Sequence, residues 1–116
     1  MAQSAGLHEP QDQLDPATID RHRALVSLQE ELEAVDWYAQ RVDAATDPEL
    51  AAVLAHNRDE EKEHAMMLLE WIRRKDVAFA RMITKYVGHG GPIVTEEGEA
   101  ASGASDREAR AKKGER

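Results

Sequence analysis

The chain has 116 residues and a mass of 12.9 kDa, room for one small domain. It has no cysteine, which excludes disulfides, thiolate-bound zinc, iron–sulfur clusters and thiol catalysis. A net charge of -8 and a mean hydropathy of -0.65 describe a soluble, cytosolic-type chain that repels phosphate backbones and attracts cations, so nucleic acid is not an expected partner. No run approaches the roughly 18–20 apolar residues of a membrane span.

Three segments follow one another. Residues 1–14 are polar and lack the basic and apolar regions of a signal peptide, so they read as a flexible N-terminal segment. Residues 15–87 hold nearly all the Leu, Ile, Val, Met and aromatic side chains and form the expected helical domain. Residues 88–116 open with Gly-His-Gly-Gly-Pro and continue in Gly, Ala, Ser and charge, the composition of a disordered tail. That tail has six acidic and five basic residues, so the acidic excess lies before Gly88.

The first helix is expected to start at Asp15-Pro16, because Asp caps well and proline suits the first helical position, where an N–H is not needed. Leu25, Leu28, Leu32, Val35, Ala39 and Val42 then follow one another at spacings of three and four, a narrow seam of coiled-coil type. Thr46-Asp47-Pro48-Glu49 gives the next start, either as a Thr46/Glu49 capping box or with Asp47 as cap and Pro48 first. So short a connection makes the two helices antiparallel neighbours. The second helix runs to about Lys75. A short third one, Val77 to Val87, begins at Asp76 with Phe79, Met82, Ile83 and Tyr86 on one face.

The same spacing in the second helix selects Leu50, Leu54, Asn57, Glu61, His64, Leu68 and Trp71, apolar at both ends and polar in the middle. A carboxylate at such a position needs a compensating partner, since burying it alone costs several kcal/mol. Glu61 and His64, three residues apart, project from one face over one turn. Glu-x-x-His on a helix is the spacing of ferritin-like carboxylate bundles, in which two such pairs and two further Glu residues surround two metals. Here there is one pair and one further Glu, Glu31, near the edge of the first seam with Tyr38 on the same side. One chain thus carries half a site, and two copies in an isologous dimer would complete a four-helix unit with six ligands. A solvated charged face, or a buried ion pair that sets helix register, is the competing reading of the same residues.

Glu30-Glu31-Leu32-Glu33-Ala34-Val35-Asp36-Trp37-Tyr38, followed by His56-Asn57-Arg58-Asp59-Glu60-Glu61-Lys62-Glu63-His64, resembles the encapsulated ferritins, two-helix members of the ferritin-like superfamily found inside encapsulin nanocompartments. The resemblance covers about Arg21 to Tyr86. It implies an all-α fold, an antiparallel two-helix hairpin that is half a ferritin-like bundle, with a short third C-terminal helix and dimerisation completing the four-helix unit. It also implies a ferroxidase that oxidises Fe(II) to Fe(III) with O2, dimers joined into an annular decamer, and an encapsulin shell that stores the mineral. By the same resemblance Glu31, Glu61 and His64 are the ligands of two irons shared by two subunits, and Tyr38 is the aromatic beside them. The resemblance likewise implies that Glu30, Glu33 and Trp37 form an outer group that passes cations inward and accepts calcium or another divalent ion.

From the residues alone, oxygen and imidazole donors suit Fe, Mn or Zn. Glu30 and Glu33 share an outer face with Trp37, roughly opposite the seam, and a Trp there suggests a second protein interface. Asn57 reads as satisfying a hydrogen bond, and Met66 to Leu69 as packing. His8, His22, His56 and His89 have no ligand-spaced partner. The C-terminus departs from the family: it has no Leu, Ile or Val after Val94 and so lacks the apolar-plus-basic peptide that docks its relatives on the shell. A non-redox metal-binding bundle and a purely structural hairpin oligomer are the alternative functions.

Overall fold

The computed structural model describes residues 6–95. The first five residues of the expected flexible segment, and the expected tail from Glu96 on, lie outside the described residues. Among the described residues all regular structure is helical: a short 3-10 turn at Gln11–Gln13, then α1 (Pro16–Ala44), α2 (Pro48–Lys75) and α3 (Val77–Tyr86). The described residues fall into two units, one ending at Ile72 and the other beginning at Arg73. No helix among the described residues is long and apolar enough to cross a membrane.

Local chemistry explains the boundaries. Pro16 and Pro48 both occupy the first helical position. Of the two ways to start α2, the chain uses Asp47: its side chain accepts from the Glu49 backbone N–H at 3.0 Å. Asp76 does the same for α3, accepting from the Phe79 N–H at 3.0 Å. Asp15 stands at the cap position of α1 in extended conformation, but its side chain makes no capping bond. α3 ends where the Val87 N–H turns back to the Ile83 carbonyl, and the next residue, Gly88, takes φ +85°, a value only glycine adopts without strain.

At 29 and 28 residues, α1 and α2 are each roughly 42–44 Å long. Their common core is thin. Ala24, Ala65 and Ile72 are the buried apolar residues, and Ile72 is the largest fully buried side chain. Two of the three are alanines, and small side chains let helices approach closely.

The seam of α1 differs from the expected one. Leu25 and Leu32 are 46% and 53% exposed. Ala24, Leu28, Glu31, Val35, Tyr38 and Val42, again at spacings of four and three, are withdrawn from solvent, and Ala39 of the expected seam is withdrawn with them. The helix is turned by about one residue, so Glu31 takes the place in the stripe that Leu32 was expected to fill. In α2 the withdrawn stripe includes Glu61, Ala65, Leu68 and Ile72. Each long helix therefore carries a carboxylate within its packed stripe.

Because so little else is buried, Ile72 carries an unusual share of the packing. Ile72→Ala is expected to destabilise the fold by about 2–5 kcal/mol, the cost of losing the side chain plus the cavity left behind. Chemical denaturation followed by circular dichroism measures this, and a loss below about 1 kcal/mol would contradict the packing described.

Candidate metal centre

Antiparallel packing of α1 and α2 places the middle of one helix beside the middle of the other. Glu31 comes from α1, while Glu61 and His64 come from successive turns of α2. His64 Nδ1 lies 3.1 Å from Glu61 Oε1 and 3.6 Å from Glu31 Oε1. One ligand atom from each of the three residues lies within 4.8 Å of the others, an arrangement that could hold a metal ion. All three are half-buried, with side-chain exposures of 26% for Glu31, 22% for Glu61 and 44% for His64. Among the described residues no other His or carboxylate cluster of this kind occurs.

The chain matches the EncFtn-like family over residues 6–89, most of its length and all three of these side chains. It belongs to that family. Among the curated relatives of this EncFtn-like chain is an encapsulated ferritin-like protein of Rhodospirillum rubrum, 56% identical over 116 aligned residues, covering 90% of this chain and 83% of that protein. A ferritin-like protein of Thermotoga maritima is 48% identical over 85% of this chain and 86% of its own length. An encapsulin nanocompartment cargo protein of Myxococcus xanthus is 34% identical over 68% of this chain and 69% of its own. The crystal structure of a protein from Nitrosomonas europaea superposes with a TM-score of 0.75 at 59% identity, covering 78% of this chain and 99% of that one. The all-α, ferritin-like fold expected from the sequence is thus the observed one.

The other residues singled out by sequence lie apart from this cluster. Tyr38 is half-buried two turns beyond Glu31, with the Arg41 guanidinium 5.1 Å above the centre of its ring. Glu30 is exposed and Glu33 half-buried, and neither joins the three-residue cluster. Trp37 is 50% exposed and lines a shallow groove with Gln40, Arg41 and Ala44. Asn57 donates its amide to the Val53 carbonyl at 2.9 Å, the hydrogen-bonding role expected of it. His56 corrects the sequence reading, because it has a partner four residues on: Nε2 lies 3.1 Å from Glu60 Oε2 on the exposed side of α2. His89 Nε2 donates to the Thr84 carbonyl at 2.7 Å.

Holding two carboxylates and an imidazole together shifts all three. A hydrogen bond with Glu61 raises the Glu31 carboxyl above its ordinary 4.5, and burial and the Glu61 charge add to that. The same bond, with His64 beside it, lowers Glu61. The His64 imidazole is raised above 6.5, first by its hydrogen bond to Glu61 and then by the charges of the two carboxylates. A divalent cation at these donor atoms would compete with protons for them.

The signs define a pH window. A raised imidazole contributes stability that is fully present below 6.5 and lost as pH rises through its folded value. A lowered carboxyl contributes stability that is present above 4.5 and lost as pH falls through its folded value. The His64–Glu61 pair therefore acts in full between 4.5 and 6.5. In a metal-free NMR titration His64 is expected to titrate above 6.5 and to move back toward it in Glu61→Gln. An unshifted His64 in the wild type would show that the pair does not form in solution.

Proposed function

We propose that this EncFtn-like chain is a ferroxidase, which binds Fe(II) as substrate and oxidises it to Fe(III) with O2 at a two-iron site formed between two subunits. The observation that carries the reading is the Glu31, Glu61 and His64 cluster. Two carboxylates and one imidazole from one chain are half of the set that a ferritin-like two-metal bundle uses. Hard carboxylate oxygens and an imidazole nitrogen suit first-row ions such as Fe(II), and carboxylates can bridge two such ions. Each Fe(II) gives up one electron and O2 accepts it, so two irons in one site serve the acceptor better than one.

The chain's own residues have distinct tasks in this reading. Glu61 and His64, one turn apart, set the spacing of two donor atoms, while Glu31 supplies the facing oxygen from α1. Fe(II) competes with protons for Glu31 and His64, the two groups shifted upward. Tyr38 lies along the same stripe and is assigned to the site's edge. Glu30, Glu33 and Trp37 are assigned to an outer group where calcium or another divalent cation pauses on its way in. Their separation within one chain agrees with a group that a second chain completes.

Assembly supports the same reading. Met67, one turn on from His64, is 57% exposed, and Met66 is 55% exposed. With three apolar residues buried, a single chain leaves much of its apolar surface uncovered, as half a bundle would. We assign an isologous dimer that completes the four-helix unit, with dimers joined into a ring of ten. The relatives named as encapsulated or as encapsulin cargo support a place inside an encapsulin nanocompartment in the cytoplasm, where the shell stores the oxidised iron.

Glu61→Ala and His64→Ala are each expected to slow Fe(II) oxidation at least about tenfold, as judged by oxygen uptake. Normal rates in both would remove these residues from the site. Binding is tested separately with Zn(II), which takes the same donors without redox turnover. Its affinity is expected to fall as pH drops through the raised His64 value, with protons released on binding. Calorimetry in buffers of different ionisation enthalpy reads that release directly, and a pH-independent affinity would contradict it.

A further inference from the structure

The run Met66-Met67-Leu68-Leu69 in α2 divides by exposure. Leu68 and Leu69 are half-buried, whereas Met66 and Met67 are 55% and 57% exposed. Packing within the hairpin therefore accounts for the leucines and not for the thioethers. The two methionines are alike in exposure and adjacent in sequence, but they leave the helix in different directions. At about 100° per residue, Met67 lies roughly 60° around α2 from His64, while Met66 lies roughly 160° away on the far side. Residues three apart on a helix have Cβ atoms about 5–6 Å from each other. Met67 therefore borders the imidazole whose Nδ1 lies 3.1 Å from Glu61, and Met66 does not.

A thioether beside a site of oxygen chemistry has a chemical consequence. In the ferroxidase reading two Fe(II) ions give one electron each to O2, which takes up two protons and becomes hydrogen peroxide. A thioether reduces peroxide in one two-electron step. A sulfur lone pair attacks one peroxide oxygen, an S–O bond forms and the O–O bond breaks. The departing hydroxide takes the proton of the attacked oxygen and leaves as water. Sulfur is oxidised by two electrons and peroxide reduced by two. The product, methionine sulfoxide, is one that cells reduce back to methionine.

We propose that Met67 is the oxygen acceptor of the Glu31, Glu61 and His64 site: its thioether consumes peroxide formed there and becomes the sulfoxide, sparing the ligands one turn away. Its place supports the role. It is exposed enough to be reached, close enough to His64 to meet peroxide before that peroxide is diluted in bulk water, and flexible enough to turn its sulfur toward the site. Met66 meets the first and last of these conditions and not the second, so it reports what peroxide from bulk solution does. The proposal deepens the ferroxidase reading and rests on it.

The full-length protein tests it. One sample receives small aerobic additions of Fe(II) with catalase present to destroy peroxide that escapes. A second, free of iron, receives hydrogen peroxide alone. Tandem mass spectrometry then reads sulfoxide at each methionine. During iron turnover Met67 should be oxidised at least about threefold more than Met66, whereas added peroxide should oxidise the two to a similar extent. Glu61→Ala should lose the preference during turnover and keep the response to added peroxide. Met67→Leu, of similar size and apolarity, should release more peroxide per iron oxidised in the first turnovers, measured without catalase. Several results overturn the proposal and leave the ferroxidase reading standing: equal oxidation of the two methionines during turnover, the same preference with peroxide alone or in Glu61→Ala, unchanged peroxide release from Met67→Leu, or an intact Met67 while iron is oxidised normally. Fe(II) oxidation no faster in the wild type than in Glu61→Ala overturns both.

Discussion

Everything distinctive about this hairpin turns on two carboxylates held against each other between two helices. Glu31 and Glu61 would repel if both were ionised, and a pair of plain apolar residues would pack more cheaply there. His64 eases the conflict, lying 3.6 Å from Glu31 and 3.1 Å from Glu61. A divalent cation could take the same three donor atoms and would relieve the repulsion that helix packing imposes there.

The thin core follows from the same arrangement. A hairpin that places polar groups in the middle of its packed stripes cannot also fill them with leucine, and what remains buried is Ala24, Ala65 and Ile72. Such a chain gains from association, which covers apolar surface and, in a ferroxidase shared by two subunits, supplies the other half of the donor set.

Much of this was legible in the sequence. Proline after aspartate marked the starts of α1 and α2, Asp76 marked α3, and the break at Glu61 and His64 in an otherwise apolar stripe pointed to the cluster. The rotation of α1 was not legible. Two overlapping stripes share Leu28, Val35 and Val42, and they differ in whether Leu25 and Leu32 or Ala24 and Glu31 face α2. Apolarity favours the leucines, so a reading of α1 alone places Glu31 at the edge. Only the facing Glu61 and His64 decide the matter, together with the closeness that Ala24 and Ala65 permit. The His56–Glu60 pair lies on the exposed side of α2, where the spacing of the packed stripe carries no signal.

The central claim is that one chain holds half of a metal centre. Crystals of the full chain grown with Fe(II) under anaerobic conditions, with anomalous scattering measured at the iron absorption edge, test it most directly. Two iron peaks are expected beside a molecular two-fold axis, each contacted by Glu31, Glu61 and His64 drawn from two chains. Iron bound wholly by the three residues of one chain, remote from any two-fold axis, would contradict it.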